Sequence, residues 1–168
     1  FFGRADRTWA PIEKDARVDW VPGAFAIIRR KAWDIAGGFD ERFFLYYEEV
    51  DLCRRMKQAG YEVWYWPKIR VVHEGGASAR SVSGHFSEQG SQLTLWNLRS
   101  KFLYFRKHHG LGTAWFIKTM TICWYQARSV MCGGESEKKK SSLEQMALIK
   151  KAWQETRGGL VSPPKPWS

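Results

Sequence analysis

Three carboxylates at the start of one predicted helix have the clearest potential for chemistry in this chain. Glu48, Glu49 and Asp51 follow an aromatic run over residues 43–47 and open a segment whose apolar residues have helical spacing. A carboxylate can take a proton from a hydroxyl group, and burial beneath the aromatic residues or a neighbouring acid would raise its pKa toward the useful range. Acids in a first helical turn also complement the helix dipole, which is the structural alternative.

Asp51 differs from the two glutamates because it lies one helical turn before Arg55. Opposite charges four residues apart meet on one face of a helix. We therefore favour a structural ion pair between Asp51 and Arg55, while Asp51 stays in the candidate catalytic set with Glu48 and Glu49.

The residues around these acids follow a characteristic order. The run Gly37-Gly38-Phe39-Asp40-Glu41 leads through the aromatic residues to Glu48-Glu49-Val50-Asp51-Leu52-Cys53-Arg54-Arg55. Before it stands Trp20-Val21-Pro22-Gly23-Ala24, and after it come Gly60-Tyr61, Pro67, His73 and Gly75-Gly76-Ala77-Ser78. Over roughly residues 18–83, the chain resembles the acceptor-side part of family 2 glycosyltransferases, especially the bacterial rhamnosyltransferase-like members.

The resemblance implies roles for the acids and for their neighbours. Glu49 occupies the position of the family's catalytic base, although many members carry Asp there, which leaves open whether Glu48 or Glu49 reaches the acceptor. The residues that would contact substrate are Trp20, Gly23 and Ala24 on the sugar or acceptor side, Tyr46 as a flat surface for a sugar ring, and Arg80 on the diphosphate. Core packing of the aromatic residues and a plain surface loop around Arg80 are the alternatives.

His73 stands where some members of the family place a histidine on the metal that bridges the donor diphosphate. The resemblance therefore implies a hard divalent cation, Mg²⁺ or Mn²⁺, with phosphate oxygens as further ligands. The Asp-x-Asp motif that would complete such a site does not occur in this sequence. A structural role for His73 is the alternative, since a lone histidine is often not a ligand.

The fold class expected from this resemblance is α/β, as the C-terminal part of a GT-A mixed-sheet fold followed by amphipathic helices. We expect an acceptor-side half over residues 1–84, a basic helical extension over 85–157 and a frayed tail over 158–168, with a nucleotide-binding half missing before Phe1. The predicted strands cover 18–21, 24–29, 61–66 and 69–73; the predicted helices cover 30–36, 48–59, 87–107, 112–131 and 143–157, with a charged linker over 135–142.

The charge of the chain is strongly asymmetric. The formal net charge is +10, and residues 85–168 carry 13 Lys or Arg against 5 Asp or Glu. Such an excess suggests an anionic partner, with a solvated basic face as the alternative. The three cysteines show neither a disulfide framework nor a zinc pattern, which fits a reducing compartment.

The most apolar stretch, Leu111 to Cys132, is interrupted by Lys118 and Arg128, so it does not predict a membrane-spanning helix. Its aromatic residues and its two cations instead fit a helix that lies on an anionic membrane surface. Packing against the missing half of the protein is the other explanation that we consider.

These features lead to one expected function and two alternatives. The expectation is an inverting transfer of a sugar, with rhamnose as the first candidate, from a nucleotide-diphosphate donor to a cell-envelope glycan or lipid-linked acceptor. The protein would be cytoplasmic and peripheral on the inner face of the plasma membrane, and residues 1–168 alone would be inactive. The alternatives are a basic module that binds nucleic acid or a membrane surface without catalysis, and a metal-dependent hydrolase. Nucleic acid is not an expected partner of the transferase.

Overall fold

The computed structural model describes residues 13–72, 91–131 and 137–165. Its elements in chain order are β1 (Ala16–Arg17), α1 (Arg30–Ala36), α2 (Glu48–Gln58), β2 (Trp64–Tyr65), α3 (Ser91–Met131) and α4 (Glu137–Glu155). The described residues divide into two compact units, the first formed by 13–41 and 47–72, the second by 42–46, 91–131 and 137–165. The predicted boundary at residue 84 lies outside the described residues.

The first unit is built around helix α2. Its core consists of Leu52, Cys53 and Met56 from α2, together with Ala32 from α1 and Val63. Helix α1 ends as predicted at two glycines with left-handed backbone, Gly37 at φ 77° and Gly38 at φ 67°. A residue without a side chain reaches this conformation at little cost, so the pair can reverse the chain directly after α1.

The sheet of the first unit is much smaller than we expected. Strands β1 and β2 are antiparallel, with Ala16 opposite Tyr65 and Arg17 opposite Trp64, and the Val18 N–H donates to the Val63 carbonyl over 3.0 Å. Three of the predicted strands do not form in the described residues: 18–21, 24–29 and 69–72. A strand needs a neighbouring strand for its backbone hydrogen bonds, and within residues 13–72 only β1 and β2 pair. The α/β class is supported in the coarse sense of helices with one small sheet, and the mixed GT-A sheet remains a prediction.

The second unit consists of α3, α4 and the chain segments that pack on them. Helix α3 breaks at Gly110, where φ 81° and ψ 173° are not helical, close to the predicted gap between two helices. Leu95 and Phe102 of α3 pack with Ile149 and Ala152 of α4. Helix α4 begins at Glu137, inside the predicted charged linker. Near its start the Ser142 hydroxyl is buried and donates to the Lys138 carbonyl over 2.8 Å.

Two short segments complete the second unit. The carbonyl of Leu45, in the segment 42–46 of this unit, accepts a hydrogen bond of 2.8 Å from the Ser100 hydroxyl. We expected residues 158–168 to be frayed. In the described part, 158–165, the residues Gly158, Gly159 and Pro163 are instead buried. The hydroxyl of Ser162 also donates to the Arg42 carbonyl over 2.8 Å.

Candidate active site at the start of helix α2

Helix α2 begins at a strained turn. Its N-cap residue Tyr47 has φ 68° and ψ −6°, and Tyr46 before it has φ 67°. Left-handed backbone in a residue other than glycine costs about 1–3 kcal/mol and persists only where the surrounding structure holds it. This turn delivers Glu48 and Glu49 as the first two residues of the helix, so the strain is located beside the predicted acids.

The two glutamates are adjacent and partly buried. One oxygen of each, Oε2, is fully buried and has no hydrogen-bond partner in the described part of the chain. Burial raises the pKa of Glu48, and the negative charge of Glu49 raises it further, while a hydrogen bond from the backbone of Glu48 works in the opposite direction. A buried carboxylate oxygen without a partner is costly, and sites of this kind occur where a ligand completes the hydrogen bonding.

Gly23, which we predicted on the acceptor side, lies beside Glu49, the predicted base. A Cβ atom at Gly23 would be 4.0 Å from the Cβ of Glu49, so the turn over residues 23–25 runs next to the first turn of α2. Trp20 packs against the core of the first unit, whereas Ala24 is exposed. The structure therefore brings Gly23 close to Glu49 and packs Trp20 against the core of the first unit.

Asp51 forms a buried ion pair with Arg55. Its side chain is fully buried, and one of its oxygens lies 2.7 Å from Nε of Arg55. The same guanidinium donates to the carbonyl of Gly38 over 2.7 Å and to the carbonyl of Ala36. The predicted ion pair is confirmed, and we do not carry the catalytic assignment of Asp51 further, because its carboxylate is already held and shielded from solvent.

The contacts of Arg55 with the end of α1 were missed from the sequence. The last carbonyls of a helix have no partner within that helix, so a nearby cation can satisfy them. The Gly37-Gly38 helix end and a cation on the next helix were the available signals. They could not show that the end of α1 and the second turn of α2 meet in space.

The remaining predicted site residues cannot be placed with the acids. Tyr46 belongs to the second unit, although only Tyr47 separates it from the start of α2. His73 and Arg80 lie outside the described residues, as do the neighbouring Ser78 and Ser81. Their predicted roles stay predictions.

The described acids do not form a complete metal site. Across 13–72, 91–131 and 137–165, no three His, Cys, Asp or Glu side chains come close enough to hold a metal ion. The buried Oε2 atoms of Glu48 and Glu49 are hard oxygen donors of the type that Mg²⁺ and Mn²⁺ prefer. Two such donors are too few by themselves, so we derive no step through a metal.

A separate groove lies on the same unit. Its volume is about 590 Å³, and its lining consists of Glu13, Tyr65 and residues 67–71. Lys68 and Arg70 give it a positive character. Neither Glu48 nor Glu49 is among the residues that line it, so the groove is not the candidate site.

Known proteins share sequence with this chain over part of its length. The rhamnosyltransferase WbbL of Escherichia coli is 30% identical over 111 residues, which are 66% of this chain and 39% of that protein. An N-acetylglucosaminyl-diphospho-decaprenol L-rhamnosyltransferase of Mycobacterium tuberculosis is 38% identical over 71 residues, 42% of this chain and 23% of that protein. The O-antigen biosynthesis protein RfbC of Myxococcus xanthus is 36% identical over 61 residues, 36% of this chain and 5% of that protein.

These similarities confirm the resemblance to rhamnosyltransferase-like proteins that the motifs predicted. The matches span well under half of each relative's own length. No protein-family model matches the chain, and no solved structure matches it.

Proposed function

Because this chain is related to bacterial glycosyltransferases, we propose that it forms the acceptor-side part of a family 2 enzyme. The proposed reaction moves a sugar from a nucleotide-diphosphate donor to a cell-envelope glycan or a lipid-linked acceptor, with rhamnose as the first candidate sugar. Two relatives are named as rhamnosyltransferases, and this supports the choice of sugar. Acceptors of this class would place the protein in the cytoplasm at the inner face of the plasma membrane.

The single observation that carries the proposal is the adjacent pair Glu48 and Glu49, each with a buried oxygen that has no partner in the described part of the chain. In an inverting transfer, the acceptor hydroxyl oxygen attacks the anomeric carbon of the donor, and a carboxylate takes its proton. The bond from that carbon to the diphosphate oxygen breaks, and the diphosphate leaves with the bonding electrons. One displacement inverts the configuration at this carbon.

We assign the base to Glu49, with Glu48 as its neighbour in the pair. Gly23 supports this choice, because the turn that contains it runs directly beside Glu49. Burial and the neighbouring Glu49 carboxyl raise the pKa of Glu48, which suits Glu48 as the neighbour of the base rather than as the base itself. Trp20 and Ala24 complete the acceptor side that we propose within the first unit, and Tyr46 is carried only as the sugar-stacking residue predicted from the sequence.

The donor side of the site needs residues beyond those described. We propose that a nucleotide-binding region beyond the described residues holds the donor, and that His73 and Arg80 act on its diphosphate. A cation, Mg²⁺ or Mn²⁺, would neutralise the departing charge when bound. This part of the proposal rests on the resemblance alone, and the proton transfer at Glu49 does not depend on it.

The base assignment can be tested with Glu49→Gln in a protein that contains this chain together with its nucleotide-binding region. Loss of the proton acceptor should lower kcat by about 10²- to 10⁴-fold, the usual contribution of general base catalysis. Transfer from a series of nucleotide-diphosphate sugars would be measured by product formation, and donor affinity by calorimetry. Donor affinity should change little, because the amide keeps nearly the same shape.

Two further variants make this result specific. Glu144→Gln makes the same change at an exposed position on α4 and should leave kcat unaltered. Glu48→Gln should reduce kcat less than Glu49→Gln does. Full activity of Glu49→Gln would remove Glu49 as the base, and a large loss in Glu48→Gln alone would move the role to Glu48.

A further inference from the structure

The part of α3 that follows Gly110 exposes an apolar face. Phe116, Met120 and Trp124 are spaced four residues apart, and Met131 follows seven residues later, so the four side chains share one side of the helix. Their exposed fractions are 56%, 49%, 67% and 85%. We call these four residues the outer face of α3. Large apolar side chains exposed together in a row usually mark a surface that something covers.

The outer face is not part of the core of its own unit. The opposite side of the same helix carries Ala114, which is fully buried, and Ile122 and Tyr125, which pack against the cluster around Ile149. Helix α3 therefore already has one packed side. The outer face is a second apolar side that the unit leaves open to solvent.

The positive charge of the second unit indicates which kind of partner covers the outer face. Helix α3 contains six Lys or Arg residues and no Asp or Glu, and α4 carries five lysines against three glutamates. A second copy of so basic a unit would be repelled, whereas an anionic surface would be attracted. None of the helices in the described ranges is long and apolar enough to cross a bilayer. A basic helix with one aromatic, apolar side suits the boundary between headgroups and acyl chains.

We propose that the outer face of α3 docks on the surface of a membrane that contains anionic phospholipid. The helix lies parallel to the surface, with Phe116, Met120 and Trp124 inserted below the headgroups. Arg128, one helical turn after Trp124, then places its cation among the phosphates and adds to the attraction. This inference concerns binding and does not rest on the proposed sugar transfer.

The experiment is sedimentation of the 168-residue protein with vesicles of phosphatidylglycerol and phosphatidylcholine in about equal parts. We expect the protein to sediment with these vesicles and to bind phosphatidylcholine alone about tenfold less, since the electrostatic attraction is lost. High salt should weaken binding to the mixed vesicles. The double variant Met120→Asp/Trp124→Asp should bind the mixed vesicles at least about tenfold more weakly, because two inserted side chains become charged.

The matched control is Leu143→Asp/Leu160→Asp, which changes the net charge equally at two positions that are 50% and 55% exposed in the same unit but lie outside the outer face. It should bind the vesicles nearly as well as the unchanged protein. Circular dichroism should show equal helix content for all three proteins. The same vesicle measurement on a longer protein that contains this chain should give the same order of affinities.

Four results would overturn the proposal. The first is no binding of the unchanged protein to anionic vesicles, and the second is an equal loss in the outer-face and control variants. The third is a dimer in analytical ultracentrifugation that only the outer-face variant dissociates, which would make a second copy the occupant. The fourth is release from vesicles by a single-stranded oligonucleotide that binds through the outer face, which would make nucleic acid the partner.

Discussion

At the scale of single residues, Glu48 shows how position alters chemistry. A glutamate on an exposed helix start would ionise near its usual pKa of 4.5, but burial and the neighbouring Glu49 raise the pKa of Glu48 in the folded chain. The folded protein therefore keeps the proton of Glu48 to a higher pH than the unfolded chain does. A residue that makes the folded state less stable at neutral pH is typical of a site maintained for function.

The raised pKa of Glu48 predicts how stability changes with pH. Between pH 4.5 and the folded-state pKa, the folded state binds more protons than the unfolded state, so this contribution to stability is lost as pH rises. Glu48→Gln removes the loss and should raise the free energy of unfolding near pH 7. The difference should disappear below pH 4.5.

Urea unfolding at several pH values would measure this difference, with Glu144→Gln as the exposed control. Equal stability of wild type and Glu48→Gln across the whole pH range would contradict the raised pKa. Lower stability of the variant near neutral pH would show that the Glu48 carboxylate is needed by the fold.

At the scale of elements, one guanidinium joins the end of α1 to helix α2 beside their shared apolar core. Arg55 binds Asp51 on its own helix and the carbonyls of Ala36 and Gly38 at the end of α1. One side chain thus neutralises a buried acid and satisfies a helix terminus. Asp51 lies in the acidic first turn of α2, so its contact with Arg55 also holds the turn that carries Glu48 and Glu49.

Asp51→Asn should therefore destabilise the first unit. The change leaves Arg55 with an uncompensated charge in a largely buried place, and losses of this kind are about 3–5 kcal/mol. Asp34→Asn is the matched control, because Asp34 pairs with Arg30 at the same spacing on an exposed surface. The control should cost less than about 1 kcal/mol. Chemical denaturation would measure both, and equal small losses would show that the Asp51–Arg55 pair is not a structural link.

At the scale of the whole molecule, the described chain forms two units with separate cores. One core surrounds Leu52 and the other surrounds Phe102. The segment 42–46 belongs to the second unit, although its chain neighbours on both sides belong to the first. Sequence neighbours therefore do not share a core here.

The second unit depends on a close approach of Gly159 to α3. A Cβ atom at this position would lie 2.2 Å from the Phe102 carbonyl oxygen, and the φ of 83° is also unfavourable for any side chain. Gly159→Ala should lower the free energy of unfolding by about 3 kcal/mol or more, because backbone atoms of α3 would have to move. Loss of α-helical circular dichroism in a urea titration would measure the effect.

Gly112→Ala is the control for this prediction. Gly112 lies within α3, and a methyl group added there would meet nothing within 4 Å, so alanine should stabilise the helix by up to about 1 kcal/mol. If both variants have the same stability, the packing of residues 158–165 on α3 is not needed by the second unit.

Local signals explain why much of the helical structure could be predicted. Apolar residues at helical spacing, a pair of glycines after α1 and Gly110 within α3 each act over a few residues. The ion pair of Asp51 and Arg55 was predictable for the same reason. The strands were predicted less well. A strand forms only when it pairs with another strand, and the local pattern does not show where in the chain that partner lies.

The sequence by itself determined the acid pair at the start of α2, the resemblance to sugar transferases and the basic character of the second half, since these depend on residue type and spacing. Only the tertiary structure decided that Gly23 lies beside Glu49, that Arg55 reaches the end of α1, and that α3 keeps an exposed apolar side. Each of these depends on contacts between residues far apart in the chain. Such contacts are selected by packing over the whole unit rather than by any local pattern.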